Sequence, residues 1–273
     1  MTGSINSARI AQLALFELTR MFLTKRGLIA LVAFVVVWLL ILRYPIGEAV
    51  SLLSEPGFTS LAQDIFGSLG LSKLLDWPEA EFAMYWLAAL IGFPTFCLFM
   101  CSDQTVEDRE RGTLRFISLR ATRLEILIGR FIGQLSVLLC LVAITLVATF
   151  TIMVYREPSL FMGGINRAVG VFIQMIFVLS PFVALMSLIN VIARSSRLSF
   201  VIAVLFFALG NIVVNLLAWQ ISALTALNYV FPGMQIELIA GQNASLMMAY
   251  GLPVIQTGLF LVLAHTLFVR RAL

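Results

Sequence analysis

Charge is scarce in this sequence, and lysine is scarcer still. Only 12% of the residues are charged, where soluble domains carry about a quarter; 61% are apolar and the mean hydropathy is +1.02. At 273 residues, that balance describes a single membrane domain. Lys25 and Lys73 are the only lysines, and neither closes a G-x-x-x-x-G-K-[ST] loop, so the chain has no phosphate loop of its own. The one histidine, His265, has no carboxylate near it in sequence and builds no catalytic constellation; it reads as a structural residue. The three cysteines (Cys97, Cys101, Cys140) sit in or at the edge of apolar runs, which argues against a disulfide framework. Cys97, Met100 and Cys101 place soft sulfur on one helical face. In so Met-rich a chain that pattern reads first as packing, and no metal site is expected. Carboxylates are almost missing from the apolar runs, which argues against a proton- or ion-coupled carrier. The first twenty residues hold Arg9, Glu17 and Arg20 and lack the apolar core of a cleavable leader.

What is present is a series of apolar runs. Residues 5–24 mix apolar positions with Arg9, Gln12, Glu17 and Arg20, as suits a helix lying in the membrane interface; a frayed N-terminus is the bland alternative. A first span is expected over 27–44, with Arg43 snorkelling at its end. The connection 44–81 is polar and acidic, with apolar positions that predict short interfacial helices. A second span is expected over 82–102, carrying Pro94, and a third over 126–154, with Arg130 reaching back to the headgroups. A fourth follows over 168–193. Residues 198–236 carry no charge; a fifth span is expected over 199–222, a re-entrant outer segment over 223–247, and a sixth span over 248–269.

The basic residues segregate. Fourteen of them fall on the side of the chain ends and the 101–130 segment and four on the other, so the positive-inside rule makes both termini and that segment cytoplasmic. The net charge of +4 therefore reflects membrane sidedness, and no nucleic-acid partner is implied. Eleven of the thirty residues from Cys101 to Arg130 are Asp, Glu or Arg, the one charge-dense stretch in the chain. Within it Gln104 to Arg111 predicts a helix capped by Asp103. Glu107 and Arg111 stand at i and i+4, the favourable orientation for an ion pair. Gly112 permits a sharp turn. Leu114, Phe116, Ile117 and Leu119 predict an apolar face suited to a partner's groove, the alternative being a solvated helix against headgroups. Asn211, Asn215 and Ser222 form a polar stripe on the fifth span, Gln174 interrupts the fourth, and these either bridge helices or line a pathway.

The local sequence Glu107-Asp-Arg-Glu110-Arg-Gly112-Thr113-Leu114, then Ser118-Leu119-Arg120, Thr122-Arg123 and Leu127-Ile-Gly129-Arg130, resembles the ABC-2 type of ABC transporter permease. That family shows acidic residues before G-T-L-E, then P-x-S-R and L-G-K. Here Arg115 stands for the Glu, Arg120 for the Pro, Thr122 for the Ser and Arg130 for the Lys. Among such permeases the chain is similar to those of multicopper-enzyme and nitrous-oxide-reductase maturation. The resemblance implies the all-α ABC-2 (type V) membrane fold: six transmembrane helices, an N-terminal interfacial helix and a cytoplasmic coupling helix within 103–124. It implies a bacterial inner-membrane permease subunit, an exporter, with Glu107, Arg109, Glu110, Arg111, Gly112, Thr113, Leu114 and Phe116 coupling it to a separate ABC ATPase. That partner would hold the Mg-ATP, this chain being no enzyme and carrying no cofactor. A second permease copy, as homodimer or related heterodimer, completes the implied machine. The other function class is a scaffold or mechanotransmission subunit acting on an extracytoplasmic partner, with the acidic 44–81 region as contact surface.

Overall fold

The computed structural model describes residues 6–48, 77–220, 222–233 and 246–270, and among these the chain is helical, with no strand. Apolar runs become helices here for a reason of solvent. In hydrocarbon no water can satisfy backbone N–H and C=O groups, and a helix satisfies them within one segment. Helix α1 (Ser7–Phe22) begins where the Asn6 side chain accepts from Ala8 N, and α2 (Lys25–Ile41) where Thr24 accepts from Gly27 N. Helix α3 (Ala80–Met100) holds Pro94 and ends in a 3-10 turn, Cys101–Asp103. Two short helices follow, α4 (Val106–Glu110) and α5 (Thr113–Ser118). Helix α6 (Arg123–Arg156) opens on a capping box between Thr122 and Glu125. Helices α7 (Phe161–Ile192), α8 (Ser196–Gln220) and α9 (Leu246–Arg270) complete the set, with 3-10 segments at Pro158–Leu160 and Ser222–Val230.

Among the described residues six helices are long and apolar enough to cross a membrane: Gly27–Tyr44, Ala80–Glu110, Arg123–Arg156, Pro158–Ile192, Ser196–Leu217 and Met248–Arg270. The central one is α7, which packs on α3, α6 and α9 and has 72% of its spanning window buried, against 12% for α8. Lipid tails are as apolar as leucine, so close packing and interhelical hydrogen bonds, rather than exclusion of water, hold such helices together. The core bears this out: Trp38 of α2 stacks on Phe93 of α3 with ring centroids 5.0 Å apart, and buried Tyr85 shares a 2.8 Å hydrogen bond with Thr145 of α6.

One sequence expectation changes. The fourth span was expected from 168, but α7 starts at Phe161 and runs through Arg167. That charge is tolerated inside the helix because Arg167 pairs with Glu79 at 3.3 Å and lies 4.0 Å from the centre of the Trp77 ring. The outer segment 223–247 begins as the 3-10 run Ser222–Val230; its later part, with most of the 44–81 connection, lies outside the described residues.

Candidate coupling site

The charge-dense segment lies where α1, the start of α6 and the ends of α3, α7 and α9 come together, here the loop face. It is fastened there by guanidinium groups. Helices leave their last carbonyls without intrahelical donors and carry a partial negative charge at that end. Arg109 of α4 donates to Asn190 O at 3.3 Å, Val191 O at 3.2 Å and Ala193 O, covering the end of α7. Arg123 does the same for α9, donating to Val269 O at 3.0 Å and to Phe268 O, with its guanidinium 5.7 Å from the Phe268 ring centre. A buried polar cluster backs the first of these: Asn190 donates to Cys101 O at 2.7 Å and accepts from Ser199 Oγ at 2.6 Å, while Ser187 donates to Gln104 Oε1 at 2.9 Å.

Helix α1 is clamped over the same segment. Arg130 of α6 is 1% exposed and lies between the carboxylates of Glu17 on α1 and Asp108 on α4. Gln134 adds a 2.8 Å donation to Glu17. Arg20 of α1 pairs with Asp103 at 2.6 Å and Glu107 at 3.6 Å, and Glu107 with Arg111 at 2.5 Å. At the N-terminal end of α1, Glu125 accepts from Asn6 N at 2.8 Å and from Thr122 N at 2.7 Å.

These contacts revise the sequence picture. Arg130 does not reach back to headgroups: α1 brings Glu17 to it, and two carboxylates hold it inside. Asp103 does not cap α4, whose N-terminus follows Thr105 without a side-chain cap; it is taken by Arg20 instead. The four apolar residues between 114 and 119 do not share a face. Leu114 is buried and Ile117 packs beside it, whereas Phe116 is 73% and Leu119 82% exposed. Glu110, Arg111, Thr113, Arg115 and Arg120 are exposed with them.

Gly112 joins α4 to α5 with φ of +71°, the left-handed region, and an added Cβ would meet no atom within 4 Å. Gly112→Val is therefore expected to cost about 1–2 kcal/mol through backbone strain alone, and Gly112→Asn clearly less. Unfolding in detergent measures both; equal costs would put the penalty elsewhere. Thr113 donates to Asp108 O and Oδ1, both at 3.1 Å, tying the two short helices across this turn.

The pathway candidates are not gathered in one place by the described contacts. Gln174 on α7 accepts from Trp86 Nε1 of α3 at 2.7 Å, Asn215 is exposed on α8, and the side chains of Asn211 and Ser222 lie outside the described residues. Cys97 and Cys101 are buried with sulfurs 3.8 Å apart. Among the described residues no group of three or more His, Cys, Asp or Glu is placed to hold a metal ion. Glu17, Arg20, Asp108, Arg123 and Asn190 were absent from the sequence-derived site set. One signal for them was legible: Gly129-x-x-x-Gly133 marks a close helix approach, and α1 is what approaches it.

This arrangement defines a class: a polytopic, all-helical membrane domain with a short charged segment bolted to its spans on one face. The family follows from comparison with known proteins. A family model described as "ABC-2 family transporter protein" matches residues 14–268, and the chain belongs to that family. It is thus a transporter membrane protein of the kind that works with an ATPase partner. No curated protein matches the chain.

Proposed function

We propose that the chain is the permease subunit of an ATP-driven exporter and that α4 and α5 receive its separate ATPase. The observation that carries this reading is the division of α5. Leu114 faces the protein, while Phe116 and Leu119 stand out beside Glu110, Arg111, Arg115 and Arg120. Two exposed apolar side chains with a charged rim make a surface that a soluble partner can bury, and Arg109, Arg123 and Arg130 pass any push on it to α7, α9 and α6. The loop face is cytoplasmic in this reading, with both chain ends, because fourteen of the eighteen basic residues sit there. The membrane is then a bacterial inner membrane. The chain supplies no ATP site, so nucleotide and magnesium belong to the ATPase. The little-buried α8 suits contact with a second permease copy.

The test is purification of the tagged full-length chain in mild detergent with assay of co-purifying ATPase. Phe116→Asp with Leu119→Asp is expected to lower ATPase recovery by about tenfold or more, as loss of central apolar anchors does, with the unfolding midpoint unchanged. Full recovery with the double variant would remove the patch from the coupling surface. A folded chain that never brings an ATPase with it would sink the reading.

A further inference from the structure

On the face away from the coupling segment, the end of α2, the start of α3 and the last turn of α6 meet. Pro45 has no N–H to give to the helix ladder, and α2 widens there into a π-turn, Leu42–Ile46. Such turns are rare and often lie at functional sites. Between these three helix ends is a cavity of about 340 Å³ lined by Leu42, Arg43, Ile46, Glu81, Ile152 and Arg156, among others.

Its charges do not cancel. Arg156 spends its guanidinium on buried Glu81, with Nε at 2.7 Å and Nη2 at 3.1 Å from the carboxylate oxygens. Arg43 is exposed and pairs with no carboxylate among the described residues. Among the described residues one cation is therefore left over beside an apolar wall of Leu42, Ile46 and Ile152. Its depth in the membrane follows from the sequence: Arg43 closes the first apolar run and Arg156 the third, so the cavity sits where hydrocarbon gives way to headgroups. Tyr155 at its edge is 92% exposed and is a residue type enriched at that boundary.

We propose that this cavity binds an anionic phospholipid, its phosphate on Arg43 and the outer edge of Arg156, its acyl chain along Leu42, Ile46 and Ile152. A free inorganic anion would use the charge but gain nothing from the apolar wall. A neutral apolar molecule would leave the cation unused. The proposal stands apart from the coupling reading and needs only that the six helices cross a bilayer.

Native mass spectrometry of the full-length protein, mixed with equal amounts of phosphatidylglycerol and phosphatidylcholine, tests it. The wild-type chain is expected to retain phosphatidylglycerol preferentially, and Arg43→Gln to weaken that retention about fivefold, the usual effect of one basic residue near a lipid surface. Arg43→Lys keeps the charge and the preference. Arg194→Gln, exposed on the loop face, removes the same charge without effect. Ile152→Gln lowers retention with both arginines intact. Equal retention of the two lipids, or no response to Arg43→Gln in a variant of unchanged unfolding midpoint, overturns the proposal. So does displacement of the lipid by excess inorganic phosphate, which would make this a site for a free anion.

Discussion

Arg130→Met is expected to be the most damaging single substitution in the chain. Arg130 is buried, and so is Glu17, which it neutralises along with Asp108. Removing the cation leaves the Glu17 carboxylate enclosed with only Gln134 to donate to it. Breaking a buried ion pair from one side costs about 3–5 kcal/mol, because the remaining charge keeps its desolvation penalty and loses its partner. The double change Glu17→Leu with Arg130→Met removes both charges and should recover much of that loss, since apolar replacement of a buried pair is often close to neutral. Asp108 remains, but its side chain is 22% exposed and can be hydrated. Unfolding in mixed detergent micelles measures all three proteins. An Arg130→Met chain within about 0.5 kcal/mol of wild type, the range of ordinary surface changes, would mean that the cluster does not hold the structure.

Gly129→Val and Gly133→Val are expected to follow closely, for a steric reason. A Cβ on Gly129 would lie 2.6 Å from Leu13 Cβ, and one on Gly133 2.8 Å from Glu17 Cγ and 3.1 Å from Ala14 Cα. The last of these is backbone and cannot turn aside, so α1 must move off α6. Overpacking of this kind costs about 1–3 kcal/mol. Here it also draws Glu17 away from Arg130, so the total should approach that of Arg130→Met without adding to it in the double variant. Trypsin cleavage after Arg20 or Lys25 reports release of α1 and should accelerate. Gly170→Ala is the control: nothing stands within 4 Å of the new methyl, and the helix should gain about 1 kcal/mol or lose nothing. If Gly133→Val leaves cleavage unchanged, α1 is not held by this approach.

The two substitutions bear on different kinds of information. Glu107 and Arg111 could be paired from spacing alone, because an α-helix puts i and i+4 on one face whatever surrounds it. The turn at Gly112 was legible for the same local reason. Arg130 was misjudged because its fate rests on Glu17, more than a hundred residues away in the chain. Without that carboxylate, snorkelling is the sensible expectation. Arg109 reads from the sequence as a coupling residue, and its guanidinium donates inward to the end of α7, while the outward apolar surface falls to Phe116 and Leu119, two of the four residues the sequence offers for a docking face. A six-residue helix can present either face, and only its packing on Ile126 and Leu127 of α6 turns Leu114 in and Phe116 out.

By itself the sequence determined the solvent, the number of spans and the segregation of the basic residues to one end of the spans, because hydropathy and charge counts are sums over neighbouring residues. The family followed from a short motif in one loop together with that topology. Only the tertiary structure decided which charges are buried, which helix ends the loop arginines cover and which apolar residues remain outside. Those outcomes depend on contacts between helices far apart in sequence, and the geometry of a close approach is what makes the buried Glu17 carboxylate tolerable beside Arg130, where buried alone it would keep its full desolvation penalty.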